Sequence, residues 1–317
     1  MCKIIYVESA FAFLEMMHEQ FSSAVNSGLR EYVQYYRGQA NKDYDIEPSL
    51  DRDGCRLNGA YEKRIIQEFM ARRPEAFAGI NNVFNLVSKM QHYGLVTRLL
   101  DLTSNPAVAL YFACCSHPDK DGEMFVFNTN RDVILTSREA DIIMRFYIYG
   151  IDDNDKYNLE EFYRNIKGSY SEKELERVIH FLIMKFPHIV LTELISERMI
   201  RQQSVFAIVP NTSRNPNIIN YIDKSNGEKF IHHFTSEYGL DFTVQNTEVR
   251  NQICECKEDI IKYHHGNKRY IVKAERKSLI LSQLDSIGIN EPFIFPELHY
   301  EGKSIVKQFK NIANKIR

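Results

Sequence analysis

The sequence predicts an α+β fold with a mixed or antiparallel central sheet and surrounding helices. Strand-prone and helix-periodic segments are interspersed without the strict alternation of a doubly wound sheet. The β-prone runs are short and aromatic-rich, as in YVQYYR (32–37) and GEMFVFN (122–128). One helix-length segment, Pro106–Cys115, is apolar on all sides, so the fold needs a core deep enough to bury it.

Along the chain, Ser9 caps a helix over 9–26 in which Phe11, Leu14, Met17, Phe21 and Val25 recur at helical spacing, and Asn26-Ser27-Gly28 stops it. Tyr32–Arg37 reads as a strand running into Gly38, and Glu47-Pro48-Ser49-Leu50 as a turn. Tyr61–Arg72 reads as a charged helix with Ile65, Ile66 and Phe69 inward, and a further helix follows Pro74 to about Met90. Thr97–Asp101 is short and extended, which sets Thr97, Leu99 and Asp101 on one face. Asn105 is an N-cap, with Pro106 at the first helical position. Gly122–Asn128 is a strand, and 151–171 is polar and broken, which suggests a helical insertion around 137–200 within one domain spanning 1–317. A helix over 172–186, strands over 205–209 and 270–274, a helix to Ser286 stopped by Gly288, and a basic amphipathic helix over 302–317 complete the reading.

Composition excludes several classes. Of 317 residues, 44% are hydrophobic and 26% charged, and the net charge of −2 gives no global pull towards nucleic acid or anionic membrane. No apolar run approaches the ~18 residues that span a bilayer. The N-terminus has Glu8 and Glu15 inside its apolar stretch and reads as mature structure. Cysteines at 2, 55, 114, 115, 254 and 256 look like scattered reduced thiols, which favours a cytoplasmic location. Cys254-x-Cys256 before His264-His265 lacks a matching second pair for zinc, His232-His233 is equally unsupported, and no metal is expected. No Walker, dinucleotide-fingerprint or nucleophile-elbow motif is present.

The densest polar run, QHYGLVTRLLDLTSN (91–105), is joined directly to the apolar helix, which is how a rigid site is built. Together YYRGQ (35–39), EPSL (47–50), QHYGLVTRLLDLTSNPAVALYFA (91–113), RQQSVF (201–206) and FIFPEL (293–298) resemble the FRG domain family, named for its aromatic-Arg-Gly motif. Val96 stands where the family usually has Pro, Leu102 where it has Trp, Ser204 where it has Gly, and Tyr36 where it has Phe. The order of an Arg-Gly strand, a Ser/Thr-bearing strand leading into an apolar helix, and a late Gln/Glu strand is in turn similar to ADP-ribosyltransferases.

That similarity implies an ADP-ribosyltransferase-like core, with NAD as substrate and a protein or nucleic-acid acceptor, in a bacterial conflict system such as phage defence or a toxin. Breaking the nicotinamide–ribose bond passes through an oxocarbenium-like transition state, so the site must hold a pyrophosphate and place polar groups at the developing charge. On this reading Arg37 grips phosphate or ribose, Gly38 lets backbone approach the carboxamide, Thr97 or Thr103 supplies a hydroxyl, His92 orients a ribose hydroxyl, Gln91 faces the ligand, and Gln202 or Glu197 lies near the acceptor. The plainer alternatives are that Arg37 pairs with Asp101 or Asp45, that Asp101 and the Thr103-Ser104-Asn105 run are scaffold, and that His92 is a hydrogen-bonded turn residue. Gln202 lacks the carboxylate of a transferase, so a non-catalytic nucleotide or nucleic-acid sensor, or a structural partner protein, also fits.

Overall fold

The computed structural model of the protein describes residues 3–28, 32–51, 59–131, 134–149, 162, 166, 168–171, 174, 188–194, 196–209 and 268–296. The expected helices over 172–186 and 302–317, most of the 151–171 segment, and the Cys254, Cys256, His232, His233, His264 and His265 positions lie outside these residues, apart from Glu174.

The fold is α+β, built on a mixed, open sheet of seven strands: β1 (Lys3–Tyr6), β2 (Tyr32–Gln39), β3 (Leu99–Thr103), β4 (Gly122–Asn130), β5 (His188–Val190), β6 (Ser204–Ile208) and β7 (Lys268–Val272). Their order is β1-β7-β4-β2-β3-β6-β5. Among the described residues only β1 and β7 pair in parallel, and every other strand pair is antiparallel. The helices are α1 (Ala10–Asn26), α2 (Gly59–Arg72), α3 (Pro74–Phe77), α4 (Val83–His92), α5 (Pro106–Cys114), α6 (Ser137–Tyr149), α7 (Glu197–Gln202), α8 (Lys277–Ser286) and α9 (Glu291–Ile294).

Strand alternation sorts the side chains into two faces. One face carries two separate apolar clusters. The first joins Leu99, Phe206 and Ile208 to α2, α4 and α6; the second joins Tyr36, Met124 and Val126 to α1, α5 and α8. The other face carries Tyr35, Leu100, Leu102, Phe125, Phe127 and Val205. The two clusters of the first face part above β2 and β3, which share a single Tyr36–Thr103 pair. Two independently packed halves therefore leave an opening at the middle of the sheet.

Several sequence expectations meet corrections with clear causes. The helix expected from Pro74 to Met90 is two helices, because Gly79 turns the chain at φ +78° and Asn82 recaps it by accepting from the Asn85 amide at 2.9 Å. The Thr97–Asp101 strand runs instead from Leu99 to Thr103, since Thr97 Oγ1 is taken up by the Leu99 amide two residues on. The strand at 270–274 begins at Lys268, and Ala274–Arg276 is a 3₁₀ turn. Apart from these corrections, α6 contributes Ile142, Ile143, Met144 and Phe146 to the first cluster.

Arg98 and Glu62 form a buried ion pair, each about 1% exposed, with Arg98 Nε 2.9 Å from Glu62 Oε2 and the guanidinium 4.5 Å from the Tyr147 ring centre. This pair ties α2 to the start of β3. Lys277, at the head of α8, is also buried, and its Nζ donates to the carbonyls of Ala40, Ser116 and His117 at 2.7–3.0 Å. Burial pulls its pKa down, and the three carbonyls supply all the acceptors an ammonium needs.

Candidate functional site

The opening is a cavity of about 240 Å³ between the C-terminus of α4 and the side of α5. Its floor is set by alternation: Tyr36 and Gly38 of β2, Asp101 and Thr103 of β3, and Ser204 and Phe206 of β6 all belong to the same face. Gln91 and His92 come from α4, Val108, Ala109 and Phe112 from α5, and Arg198 and Gln202 from α7. A second cavity of about 680 Å³ lies beside it, under Asn82, Asn85, Tyr93 and Glu193. His92 and Arg198 line both, so they stand at the waist between the two.

The junctions around the cavity are tightly bonded. Asn105 caps α5 by accepting from the Ala107 amide at 2.9 Å. Thr103 Oγ1 accepts from the Asn105 amide at 3.0 Å and donates to the Gln202 carbonyl at 2.6 Å. The end of β3 is thereby fastened to the end of α7, where Gln203 takes the left-handed conformation at φ +47°. Gln202 Nε2 donates to the Ile294 carbonyl at 3.1 Å, and Phe295 lies between Arg198 and Phe112, 4.8 Å and 6.2 Å away. Phe295 thus packs behind two residues that line the cavity.

The polar residues converge on Asp101. Gln91 Nε2 donates to its Oδ1 at 2.6 Å, and Arg37 Nη1 donates to its backbone carbonyl at 2.7 Å. Gln91 is itself fixed, because its Oε1 accepts from Thr97 Oγ1, and the Thr97 amide donates to Ser49 Oγ at 2.9 Å. By alternation Arg37 belongs to the face of Tyr35, so its guanidinium bridges the point where β2 and β3 diverge.

Residues 33–122 match the FRG domain family model. The chain carries an FRG domain. No curated protein and no solved structure matches it. The FRG segment runs from β2 to the first residue of β4 and supplies the β2 and β3 part of the floor, the α4 lip and the α5 wall. Arg198, Gln202, Ser204 and Phe206 complete the cavity from beyond it.

Of the site residues named from the sequence, Arg37, Gly38, Gln91, His92, Thr103 and Gln202 line this cavity, although 165 positions separate the first and last. Thr97 does not line it; it is 1% exposed and acts through Gln91. Glu197 lines the larger cavity instead. Gly38 has a packing reason to be glycine: a Cβ there would sit 1.8 Å from the Ala109 carbonyl oxygen and 2.7 Å from the Ala113 amide nitrogen. The glycine of the aromatic-Arg-Gly motif lets α5 lie directly on β2. Tyr36 stays protonated, since burial pushes its phenol well above the ordinary value, and its hydroxyl donates to Gln34 Oε1 at 2.9 Å. Burial raises the Cys114 thiol to about 12, which removes it as a nucleophile.

Sequence reasoning missed two features. Arg198 carries no motif signal, and its position between the two cavities depends on α7 packing against α9. Asp101 was read as scaffold, yet it is the only carboxylate lining the smaller cavity among the described residues. No apolar spanning segment exists among those residues, and they contain no cluster of metal-ligating side chains.

Proposed function

We propose that the cleft binds a nucleotide of the NAD class, and that the protein is an ADP-ribosyltransferase-like domain acting in a bacterial conflict system. The observation that carries this reading is the meeting of Arg37, His92 and Arg198 with a single carboxylate, Asp101, beside the apolar wall of Val108, Ala109 and Phe112. Arginine forks suit phosphate oxygens, and an apolar wall suits a flat base. A cavity of about 240 Å³ suits one nucleoside half, and the adjoining 680 Å³ cavity gives a longer ligand room to continue past His92 and Arg198. A pyrophosphate at that waist would meet the Arg198 guanidinium and the His92 ring. The transferase component rests on the order of the sequence motifs, and the conflict-system setting rests on the family resemblance.

A second reading is a sensor that binds such a nucleotide without cleaving it. It is favoured by Gln202, which offers an amide already bonded to the Ile294 carbonyl where a transferase would present a carboxylate. Titration calorimetry with NAD and ADP-ribose tests the shared claim: saturable binding below about 1 mM is expected, and absence of binding refutes both readings. Release of nicotinamide over hours at high protein concentration separates the enzyme from the sensor.

A further inference from the structure

Asp101 occupies an unusual position. It lies at the centre of β3, paired with Phe206 of β6 on one side while β2 meets β3 only at Thr103, and the residues on either side of it in the strand are all buried. Asp101 alone in that strand is exposed. A carboxylate in mid-sheet normally needs a cation or a full set of donors to offset its desolvation. Here solvent reaches it because α4 and α5 part directly above.

Its fixing is equally specific. Arg37 holds its carbonyl at 2.7 Å. Gln91 holds Oδ1 at 2.6 Å and is held in turn by Thr97. The Thr97 hydroxyl donates to the Gln91 carbonyl oxygen, so the amide's NH₂ faces the carboxylate. Among the described residues, Oδ2 receives no hydrogen bond. Gln91 and Thr97 thus set the direction of the carboxylate while Arg37 fixes its backbone, leaving one oxygen bare and a lone pair on the other.

We infer that Asp101 is the ligand-orienting residue of the cleft, accepting hydrogen bonds from the vicinal hydroxyls of a ribose whose phosphates lie towards His92 and Arg198. This deepens the NAD-class reading and rests on it. The two acceptor sites suit a cis-diol, and the nearby Arg198 guanidinium and His92 ring N–H suit the phosphates of the same ligand. Gln91 and Thr97 are positioning residues that act through Asp101.

The test pairs ligand and protein changes in calorimetry. The ligands are NAD and two NAD analogues, each lacking the 2′- and 3′-hydroxyls of one ribose. The proteins are the wild type, Asp101→Ala and Asp101→Asn, with folding checked by circular dichroism. For the wild type, removing the diol from one ribose should weaken binding about 10- to 100-fold, and removing it from the other should change little. In Asp101→Ala that difference should vanish. If the wild type binds both analogues as tightly as NAD, the inference is wrong while the nucleotide reading stands. If Asp101→Ala weakens all three ligands equally, Asp101 is structural and the inference is again wrong. If the wild type binds none of them, the nucleotide reading fails and takes this inference with it. The wild-type comparison alone decides the matter should the variants not fold.

Discussion

Replacing Gly38 with alanine puts a methyl group into backbone. The new Cβ would lie 1.8 Å from the Ala109 carbonyl oxygen, and ordinary contact begins at 3.4 Å, so α5 must retreat by about 1.6 Å (3.4 − 1.8). No side chain can turn aside to relieve this, because the nearest atoms, Ala109 O, Ala113 N and Ala109 C, are all main chain. A gap of 0.5–1 Å already forfeits a quarter to a half of a dispersion contact. Buried residues of α5, including Val108, Leu110 and Ala113, would all be affected. Overpacking typically costs about 1–3 kcal/mol, and this case belongs at or above the upper end. Alanine in an extended strand would otherwise gain about 0.4–1 kcal/mol from the unfolded chain. A net loss of about 2–3 kcal/mol is expected in urea denaturation followed by far-UV circular dichroism. Gly94→Ala is the control: it sits at φ +87° with nothing within 4 Å, so it should cost only the ~1 kcal/mol of the left-handed backbone. A Gly38→Ala protein as stable as wild type would refute the account of why this motif contains glycine.

Two further outcomes follow from the packing and charge. Removing one partner of the buried Arg98–Glu62 pair, as in Glu62→Gln, should cost about 3–5 kcal/mol, whereas replacing both with apolar residues of similar volume should recover most of it; denaturation midpoints of the singles and the double decide this, and near-neutral singles would contradict it. Asp121 is pushed up by burial but held down more strongly by Lys273, Lys42 and the Ala274 amide, to about 2. A depressed carboxylate stabilises the fold above its unfolded pKa, and the contribution is lost as pH falls through the folded one. The stability gap between wild type and Asp121→Asn should therefore be largest above about pH 4, on the order of 1–2 kcal/mol after solvent screening, and should close towards pH 2.

Much of the fold was legible because its signals are local. Ser9 caps α1 by accepting from the Ala12 amide at 3.1 Å, Asn105-Pro106 starts α5, and the all-round apolarity of α5 reports that it is buried against a sheet. β1 was not legible: KIIY has no local turn signal and becomes a strand only because β7 lies beside it in parallel register from Lys3–Lys268 to Tyr6–Ile271. The candidate site divides along the same line. That Arg37, His92 and Gln202 share one cavity follows from tertiary folding, although the residue types were conspicuous in the sequence. The reason for Gly38 lies 71 positions away at Ala109, and the partner of Arg98 is Glu62 of α2 and not the neighbouring Asp101. Asp101 resembles scaffold in the sequence because it lies beside the helix-capping run; only the parting of α4 and α5 reveals it to solvent.

The central claim is that the cleft between α4 and α5 holds a nucleotide of the NAD class. A crystal structure determined at saturating ADP-ribose tests it most directly. The account predicts ligand density over β3, with a ribose against Asp101 and the pyrophosphate between His92 and Arg198. An empty cleft at saturation, or ligand bound elsewhere on the molecule, would contradict it.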